Sequence, residues 1–319
     1  MATTGPIDLL PQSPTRTGSA QAAATPRAGH SRARRIMTYV LFGLAILVIW
    51  ESVKFVGGVP WRFQNVLGTD IDIEHFPPFR WAFASDLNLP HWWNILAALA
   101  APVQRNAEAS LGQFLVGAAF YTWREAVIGF IVGALLGLLL ATVFVHSRLA
   151  ERAFVPYVVA SQTIPIVALA PMIVFAFGPN VTSVVVIATY LTFFPVTIAM
   201  IRGLRAPDPR ALELMRSYAA GRSATYWKLR LPASMPYLFT ALKIAATASI
   251  VGAIIGEGPG GIPNGLGRAI INFNQQYITG PEKLWAAILV ASLLGVTFFV
   301  MIRALELVAL RGRPGAAEG

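Results

Sequence analysis

The residues of this 319-residue chain that could do chemistry are few and scattered. It has no cysteine, and its four histidines lack the spacing of metal ligands: they are His30, His75, His91 and His146. The glycine-rich stretch that follows Ile255 could be mistaken for a phosphate cradle, but the chain has no G-x-x-x-x-G-K-[ST] pattern. No nucleophile and base, and no paired carboxylates, can be placed on one face. We therefore predict no metal site, no catalytic site and no cofactor bound by this chain.

Composition places the chain in a membrane. It is 55% hydrophobic and only 13% charged, with a mean hydropathy of +0.60, which is too apolar for a soluble domain of this size. A net charge of +10 could indicate nucleic-acid binding. The basic residues instead cluster at the ends of apolar segments, as the positive-inside rule predicts, so no nucleic-acid partner is expected.

Six apolar segments are predicted to cross the bilayer: residues 36–56, 118–145, 153–178, 181–201, 236–255 and 284–308. Residues 1–35 are predicted to be a disordered tail. The first apolar run is too long for the core of a signal peptide, which spans about 7–15 residues. Arginines precede the first crossing and follow the last: Arg27, Arg32, Arg34, Arg35, Arg311 and Arg313. Both the N-terminal tail and the C-terminal tail, 311–319, are therefore predicted to be cytoplasmic.

Two features concern packing and the outer face. Glycines recur every fourth residue at Gly129, Gly133 and Gly137, a stripe that allows another helix to approach closely. The segment before this crossing, predicted to be external within residues 36–117, holds four tryptophans: Trp61, Trp81, Trp92 and Trp93. Interfacial anchoring explains them better than ligand contact, although both remain open.

A polar island, residues 202–236, separates the fourth and fifth crossings. Asp208 followed by Pro209 predicts a helix start, because Asp caps free amides and Pro at the first position loses no hydrogen bond. Four residues recur at helical spacing on one face: Ala211, Leu214, Met215 and Tyr218. Ser223 is predicted to cap a second helix, which Pro232 ends. A helical hairpin on the bilayer surface is the simplest interpretation.

The island also resembles the cytoplasmic loop of importer permeases of the ATP-binding-cassette (ABC) type. Their pattern is Glu-Ala-Ala, three residues, Gly, nine residues, an aliphatic residue, one residue and Leu-Pro. Glu213, Leu229 and Leu231-Pro232 match it at the right spacing. In that family the loop docks in a groove of the ATPase subunit, so the resemblance implies the same role here.

The match has departures. Leu214 and Met215 replace the two alanines, Ala219 replaces the glycine, and Gly221 lies two residues later. The docking residues that the resemblance implies are Glu213, Leu214, Met215, Tyr218, Ala219, Gly221, Leu231 and Pro232.

Other stretches resemble the branch that transports nitrate, sulfonates, taurine and pyrimidine precursors. Thr122-Trp123-Arg124 with Gly129-Phe130 is similar to the start of its permease core, 118–310 here. Gly265-Leu266-Gly267 is similar to its external loop. Within the proline-broken stretch 161–171, Gln162 stands where those permeases often have a basic residue, which weakens an anionic-substrate interpretation. MRSYAA and KLRLPASMPYLFTALKIAAT are most similar to permeases for pyrimidine or vitamin precursors.

Polar residues beside proline breaks indicate a translocation pathway, because freed carbonyls are tolerated only inside protein or at a wet cavity. The pathway residues predicted are Ser161, Gln162, Thr163, Pro165, Tyr190, Ser249 and Glu257. The residues around Gln162 could equally be polar glue between helices. Glu257, at the family's acidic position, is a functional candidate by default, although an exposed interfacial Glu would need no explanation.

The resemblance implies an all-α, type I ABC importer permease-like fold in the bacterial inner membrane. It also implies a second permease copy, giving a homodimer, with two ATP-binding subunits that hold ATP and Mg²⁺ and an external solute-binding protein. The different alternative is an autonomous ion-coupled carrier. That alternative needs buried ionisable residues or inverted repeats, whereas the acidic residues predicted in spans, Glu51, Glu125 and Glu306, lie toward span ends.

Overall fold

The computed structural model describes residues 32–63, 73–104, 108–258 and 262–311. These residues are mostly helical, which confirms the all-α prediction, with one small two-stranded ribbon added. Five helices are long and apolar enough to cross a membrane, and a bent pair of shorter helices can supply a sixth span. The multi-pass prediction is therefore confirmed.

Helix α1 (Arg32–Gly57) contains the first predicted crossing. Residues 32–35, predicted to belong to the disordered tail, form the first turn of this helix instead. The rest of that tail, 1–31, and residues 312–319 lie outside the described residues. From Met37 to Ile49 the side chains are exposed and mostly apolar, as expected for a surface that faces lipid.

A small folded segment follows α1 and contains β1 (Trp61–Phe63), β2 (Ile73–His75), a short 3₁₀ turn (Ala82–Ala84) and α2 (Trp92–Ala100). The two strands pair antiparallel, with Arg62 opposite Glu74. The segment predicted to be external therefore has secondary structure of its own.

Buried polar pairs hold this segment. The ammonium of Lys54, fully buried, forms an ion pair with Asp86, and the Nδ1 of His91 lies 2.9 Å from a carboxylate oxygen of Glu51. Two of the four tryptophans pack inside, since the rings of Trp61 and Trp93 meet edge to face with centroids 6.0 Å apart. The prediction of interfacial anchoring is therefore kept only for the two half-exposed tryptophans, Trp81 and Trp92.

Helix α3 (Leu111–His146) begins earlier than the predicted residue 118. Ser110 accepts from the Gln113 amide at 3.2 Å, and the Gln113 side chain accepts from the Ser110 amide at 3.2 Å, so a capping box sets the start. The predicted domain boundary at 117/118 therefore falls inside this helix. At 36 residues it is about 54 Å long, well beyond the hydrocarbon core.

Helix α6 (Val181–Arg205) lies at the centre, packed between α3 and α9 (Leu231–Glu257). A Cβ added at Gly133 would lie 2.6 Å from the Cβ of Thr192, and one at Gly137 would lie 2.7 Å from the carbonyl of Phe193. The predicted glycine stripe therefore does bring two helices together. On the other side, Gly252 makes an equally close approach to Ala188, where an added Cβ would lie 2.8 Å from its Cα.

The third predicted crossing is two helices, α4 (Arg148–Ser161) and α5 (Ile166–Phe177), that meet at 100°. Of the three prolines in this crossing, Pro156, Pro165 and Pro171, only Pro165 stands at the break. Pro156 and Pro171 lie inside the helices. The predicted proline-broken crossing is thus two helices with a sharp bend at residues 162–165.

The polar island forms α7 (Pro209–Ser217) and α8 (Arg222–Thr225), followed by a π-helical turn (Tyr226–Arg230) that leads directly into α9. Two predictions are wrong here. Ser223 lies inside α8 and caps nothing, and Pro232 lies in the first turn of α9 rather than ending a helix. Because the first turn needs no amide donor, Pro232 is tolerated there.

Two helices complete the chain, α10 (Leu266–Gln275) and α11 (Pro281–Ala309). The stretch between the last crossings was predicted to be a turn-rich loop. Instead α10 buries Leu266, Ala269 and Phe273 in a second apolar cluster with α2, α3 and α11. This burial is tertiary, since the helix itself is short and marginal.

Candidate docking surface and pathway residues

The start of α7 follows from its sequence. The Asp208 carboxylate accepts from the Arg210 amide at 2.8 Å, and Pro209 occupies the first turn. Both features were predicted, and they stop the helix from extending back toward α6.

The apolar residues of α7 divide between two faces. Ala211 and Met215 are half-buried against the chain, whereas Leu214 and Tyr218 are 57% and 76% exposed. The single apolar face predicted from spacing is therefore split. Leu214 and Tyr218 form the exposed face of α7. Glu213 is exposed, and among the described residues it forms no ion pair.

The backbone of the turn after α7 shows why the family pattern has glycine at the position of Ala219. Ala219, where that pattern has glycine, has a φ of 52°, in the left-handed region that favours glycine. Its amide donates to the Arg216 carbonyl at 2.8 Å, and the Ala220 amide donates to Met215 at 2.9 Å. Gly221, by contrast, has an ordinary φ of −64°, so nothing in its backbone requires glycine.

The segment from α8 to α9 is tied to the spans. Leu231 is half-buried against the main core, and Arg230 donates to the Leu204 carbonyl of α6 at 3.2 Å. The hydroxyls of Tyr226 and Thr142 lie 2.9 Å apart, joining the π-helical turn to α3. A displacement of this polar segment would therefore be felt by two central helices.

The structure brings several predicted pathway residues together at the bend between α4 and α5. Ser161 donates to the Val158 carbonyl at 2.8 Å, and the Tyr190 hydroxyl of α6 donates to the Ser161 carbonyl. Thr163 donates to Ala160 at 2.7 Å. The Nε2 of Gln162 is buried and finds no partner among the described residues. Among the described residues of the bend, Gln162 is therefore the one with a buried polar atom left without a partner.

The remaining predicted pathway residues lie elsewhere. Pro165 is exposed, at the start of α5. Ser249 is fully buried and donates to the Ala246 carbonyl at 2.8 Å, and no contact joins it to the bend among the residues that the structure describes. A cavity of about 410 Å³ beside the bend is nearly all apolar and includes only Ser161 of the predicted set.

Glu257 is fully buried rather than exposed at an interface. Its carboxylate accepts from the Gly267 amide at 2.6 Å, and Thr122 beside it accepts from the Leu266 amide at 2.8 Å. These bonds attach the Gly-Leu-Gly stretch to the ends of two spans. The side chain is thus a structural anchor of the loop as well as an acidic group.

Sequence reasoning missed the partner of Glu257. Glu125 of α3 is also fully buried, and its carboxyl lies beside the Glu257 carboxyl. Both oxygens of Glu125 lack a donor among the described residues. The statement that no paired carboxylates could be placed together is therefore wrong. The signal was the presence of Glu125 in an apolar span, which marks a functional candidate by default.

The fold and these surfaces define a multi-pass helical membrane protein that leaves an apolar helix face free beside a polar segment tied to its central spans. Residues 133–307 match the family model of the binding-protein-dependent transport system inner membrane component. Because this match covers more than half of the chain, the protein belongs to that family. It is a permease subunit, not itself an enzyme, and the family implies an ATP-binding subunit and a solute-binding protein as partners.

Relatives agree with this assignment. The chain is 36% identical over 189 residues to the formylaminopyrimidine transport permease protein ThiX of Halalkalibacterium halodurans, covering 58% of this chain and 73% of that protein. It is 31% identical over 166 residues to the riboflavin transport system permease protein RibX of Chloroflexus aurantiacus, covering 52% and 61%. It is 27% identical over 209 residues to the putative aliphatic sulfonates transport permease protein SsuC of Escherichia coli K12, covering 66% and 77%.

A solved structure supports the fold alone. The crystal structure of an amino acid ABC transporter with histidines is matched with a TM-score of 0.51 at 18% identity, over 61% of this chain and 94% of that one. Together with the family match, this likeness confirms the predicted type I ABC importer permease-like fold. The family match and the relatives, not this structure, support an importer permease over an autonomous ion-coupled carrier. The protein is a multi-pass inner-membrane protein.

Proposed function

We propose that this permease imports a small neutral heterocycle of the pyrimidine or vitamin-precursor class, using ATP and Mg²⁺ held by the partner ATPase. The single observation that carries the choice is Gln162. It places an unpaired amide, rather than a cation, at the bend between α4 and α5. A sulfonate would lack a counter-ion there, whereas an amide can donate to a ring nitrogen or carbonyl. The names of two relatives above 30% identity, ThiX and RibX, point the same way.

The substrate is tested on the partner solute-binding protein and then on uptake. We expect the binding protein to bind formylaminopyrimidine or riboflavin, measured by calorimetry, and to ignore taurine and nitrate. Uptake of the same ligand by vesicles holding the complete transporter should fall in Gln162→Leu, which is close in size but cannot donate. Binding of a sulfonate in preference to both heterocycles would reject the proposal.

Docking of the ATPase is assigned to the exposed face of α7. Leu214 and Tyr218 offer exposed apolar surface, and Glu213 beside them is exposed, so it can pair with a base of the partner. Burying one such side chain contributes about 1.5–3 kcal/mol, so two can decide assembly. Met215, Ala219, Gly221, Leu231 and Pro232 then act by shaping and supporting this face.

The docking test uses a matched pair of variants. Tyr218→Asp should leave the permease folded in the membrane while the ATPase no longer copurifies and ATP-driven uptake is lost. Tyr218→Phe keeps the apolar ring and should retain both. Full uptake by Tyr218→Asp would return α7 to a hairpin on the bilayer surface.

The assembly proposed is a homodimer of this permease with both termini and residues 202–236 in the cytoplasm. The support for the orientation is the arginine-rich flank of the first span and Arg311 after the last. The homodimer is what the family resemblance implies. Crosslinking of differently tagged copies in membranes tests the homodimer, and recovery of only a distinct second permease would reject it.

A further inference from the structure

A basic cavity lies behind α7, between this helix, the end of α3 and the helix that begins at α8. Its volume is about 310 Å³. It is lined by Val145, His146, Leu212, Arg216, Ala220, Arg222, Thr225 and Arg230. Three guanidinium groups and one imidazole therefore surround the space, and no acidic residue lines it.

The charges in this cavity are not neutralised by the chain. Arg230 donates to a neutral group, the Leu204 carbonyl, and among the described residues neither Arg216 nor Arg222 has an ion-pair partner. Arg205, by contrast, forms an ion pair with Glu151 at 2.6 Å. Three cations around an open space repel one another, so the arrangement favours an anion between them.

His146 is held toward this cavity. Its Nδ1 donates to the Thr142 carbonyl at 2.8 Å, because a carbonyl can only accept, and its ring lies 5.6 Å from the ring of Tyr226. Nε2 is therefore left for another partner. Since His146 is the last residue of α3, the cavity lies at the end of that long apolar helix.

The cavity is separate from the docking face. Leu212 and Arg216 line it, whereas Leu214 and Tyr218 are two residues further along and lie about 200° around the helix. A partner seated on Leu214 and Tyr218 therefore covers one side of α7 and leaves the cavity on the other.

We propose that this cavity binds a phosphate group, either the headgroup of an anionic phospholipid or a free phosphate. Guanidinium groups match phosphate oxygens in bidentate geometry, and basic pockets at the membrane surface suit anionic headgroups. A phosphate here joins Arg216 of α7 to Arg222 and Arg230 of the helix that continues into α9. It thereby fixes the docking helix against a central span. The inference does not depend on the substrate or on the docking residues proposed above.

The experiment uses the purified full-length permease in uncharged detergent. Native mass spectrometry compares retention of phosphatidylglycerol with that of phosphatidylcholine of the same acyl chains, and inorganic phosphate is then added as a competitor. The variant is Arg216→Gln/Arg222→Gln. The control is Arg210→Gln, an exposed arginine of the same helix that does not line the cavity. Each single variant is measured as well, so that the test survives misfolding of the double variant.

Wild type and Arg210→Gln should retain phosphatidylglycerol about tenfold more tightly than phosphatidylcholine, and the double variant should lose this preference. Retention that millimolar phosphate does not displace identifies a lipid headgroup. Displacement, or phosphate binding without lipid, identifies a free anion. Equal lipid and phosphate binding by the double variant and the control would overturn the proposal. If the double variant then failed to hold the ATPase, the cavity would serve an acidic side chain of that partner instead.

Discussion

Single side chains attach the Gly-Leu-Gly stretch to the spans. The Glu257 carboxylate holds the Gly267 amide, and Thr122 holds the Leu266 amide, so two side chains attach one loop to two spans. Glu125 adds a second buried carboxyl beside the first without any donor of its own. Buried carboxyls without donors are costly, so this pair is a place where substitution can raise stability as well as lower it.

Glu125→Gln should match or exceed the wild type in thermal stability, because an amide of the same shape removes like-charge repulsion and can donate to the unpartnered Oε1 of Glu257. Glu257→Ala should lower the free energy of unfolding by about 1–3 kcal/mol, since it leaves the buried Gly267 amide without an acceptor. Thermal unfolding in detergent measures both. A larger loss in Glu125→Gln than in Glu257→Ala would contradict this account of the pair.

Ala219 is strained at the other end of the molecule. Its left-handed φ of 52° costs a residue with a Cβ about 1–2 kcal/mol. Glycine removes this strain from the folded state, but it also raises the entropy of the unfolded chain, which offsets part of the gain. Ala219→Gly should therefore slow hydrogen exchange of the turn that ends α7. Ala220→Gly, next to it and without a positive φ, should speed the exchange. Faster exchange in Ala219→Gly would show that the turn is not strained.

At the scale of elements, the core is built by glycines that admit α6 between two other spans. In lipid no hydrophobic drive pushes helices together, so close backbone approach through small residues supplies the packing. The stripe on α3 and the glycines of α9 meet α6 from different sides. The central position of α6 thus depends on the absence of side chains on its neighbours.

Gly133→Ala should lower stability by about 1–3 kcal/mol, because the added Cβ would lie 2.6 Å from the Cβ of Thr192 and must push α6 away. Gly117→Ala is the matched control in the same helix, where a Cβ meets nothing within 4 Å. It should be neutral or slightly stabilising through helix propensity. The melting temperatures of the two variants test this, and equal values would show that α3 and α6 can separate freely.

On the scale of the whole molecule, the proposed topology places α7 and the Gly-Leu-Gly loop on opposite sides of the membrane. The chain has no native cysteine, so single introduced cysteines report without background. Ser217→Cys should react with an impermeant maleimide only after the inner face is opened, and Asn274→Cys should react in intact cells, because both positions are exposed. Labelling of both cysteines in intact cells would contradict the proposed topology.

The sequence alone determined the local features of the protein, which depend on residues close together in the chain. The long apolar runs set where spans can lie, Asp208-Pro209 set the start of α7, and the four-residue spacing of Gly129, Gly133 and Gly137 set a face for close packing. These features are local, since a span, a cap and a stripe each follow from residues within a few turns. The family pattern around Glu213 could likewise be recognised from spacing.

The tertiary structure decided whatever depends on residues far apart in the chain. Burial against α2, α3 and α11 made α10 a helix where turn residues favoured a loop, and continuity with α8 placed Pro232 inside a first turn rather than at an end. Glu125 and Glu257 became a pair only because α3 and α9 converge. Leu214 is exposed and Met215 is half-buried, because only one side of α7 packs against the rest of the chain. Periodicity along the sequence predicts which residues share a face, but what covers that face depends on elements that the same stretch does not contain.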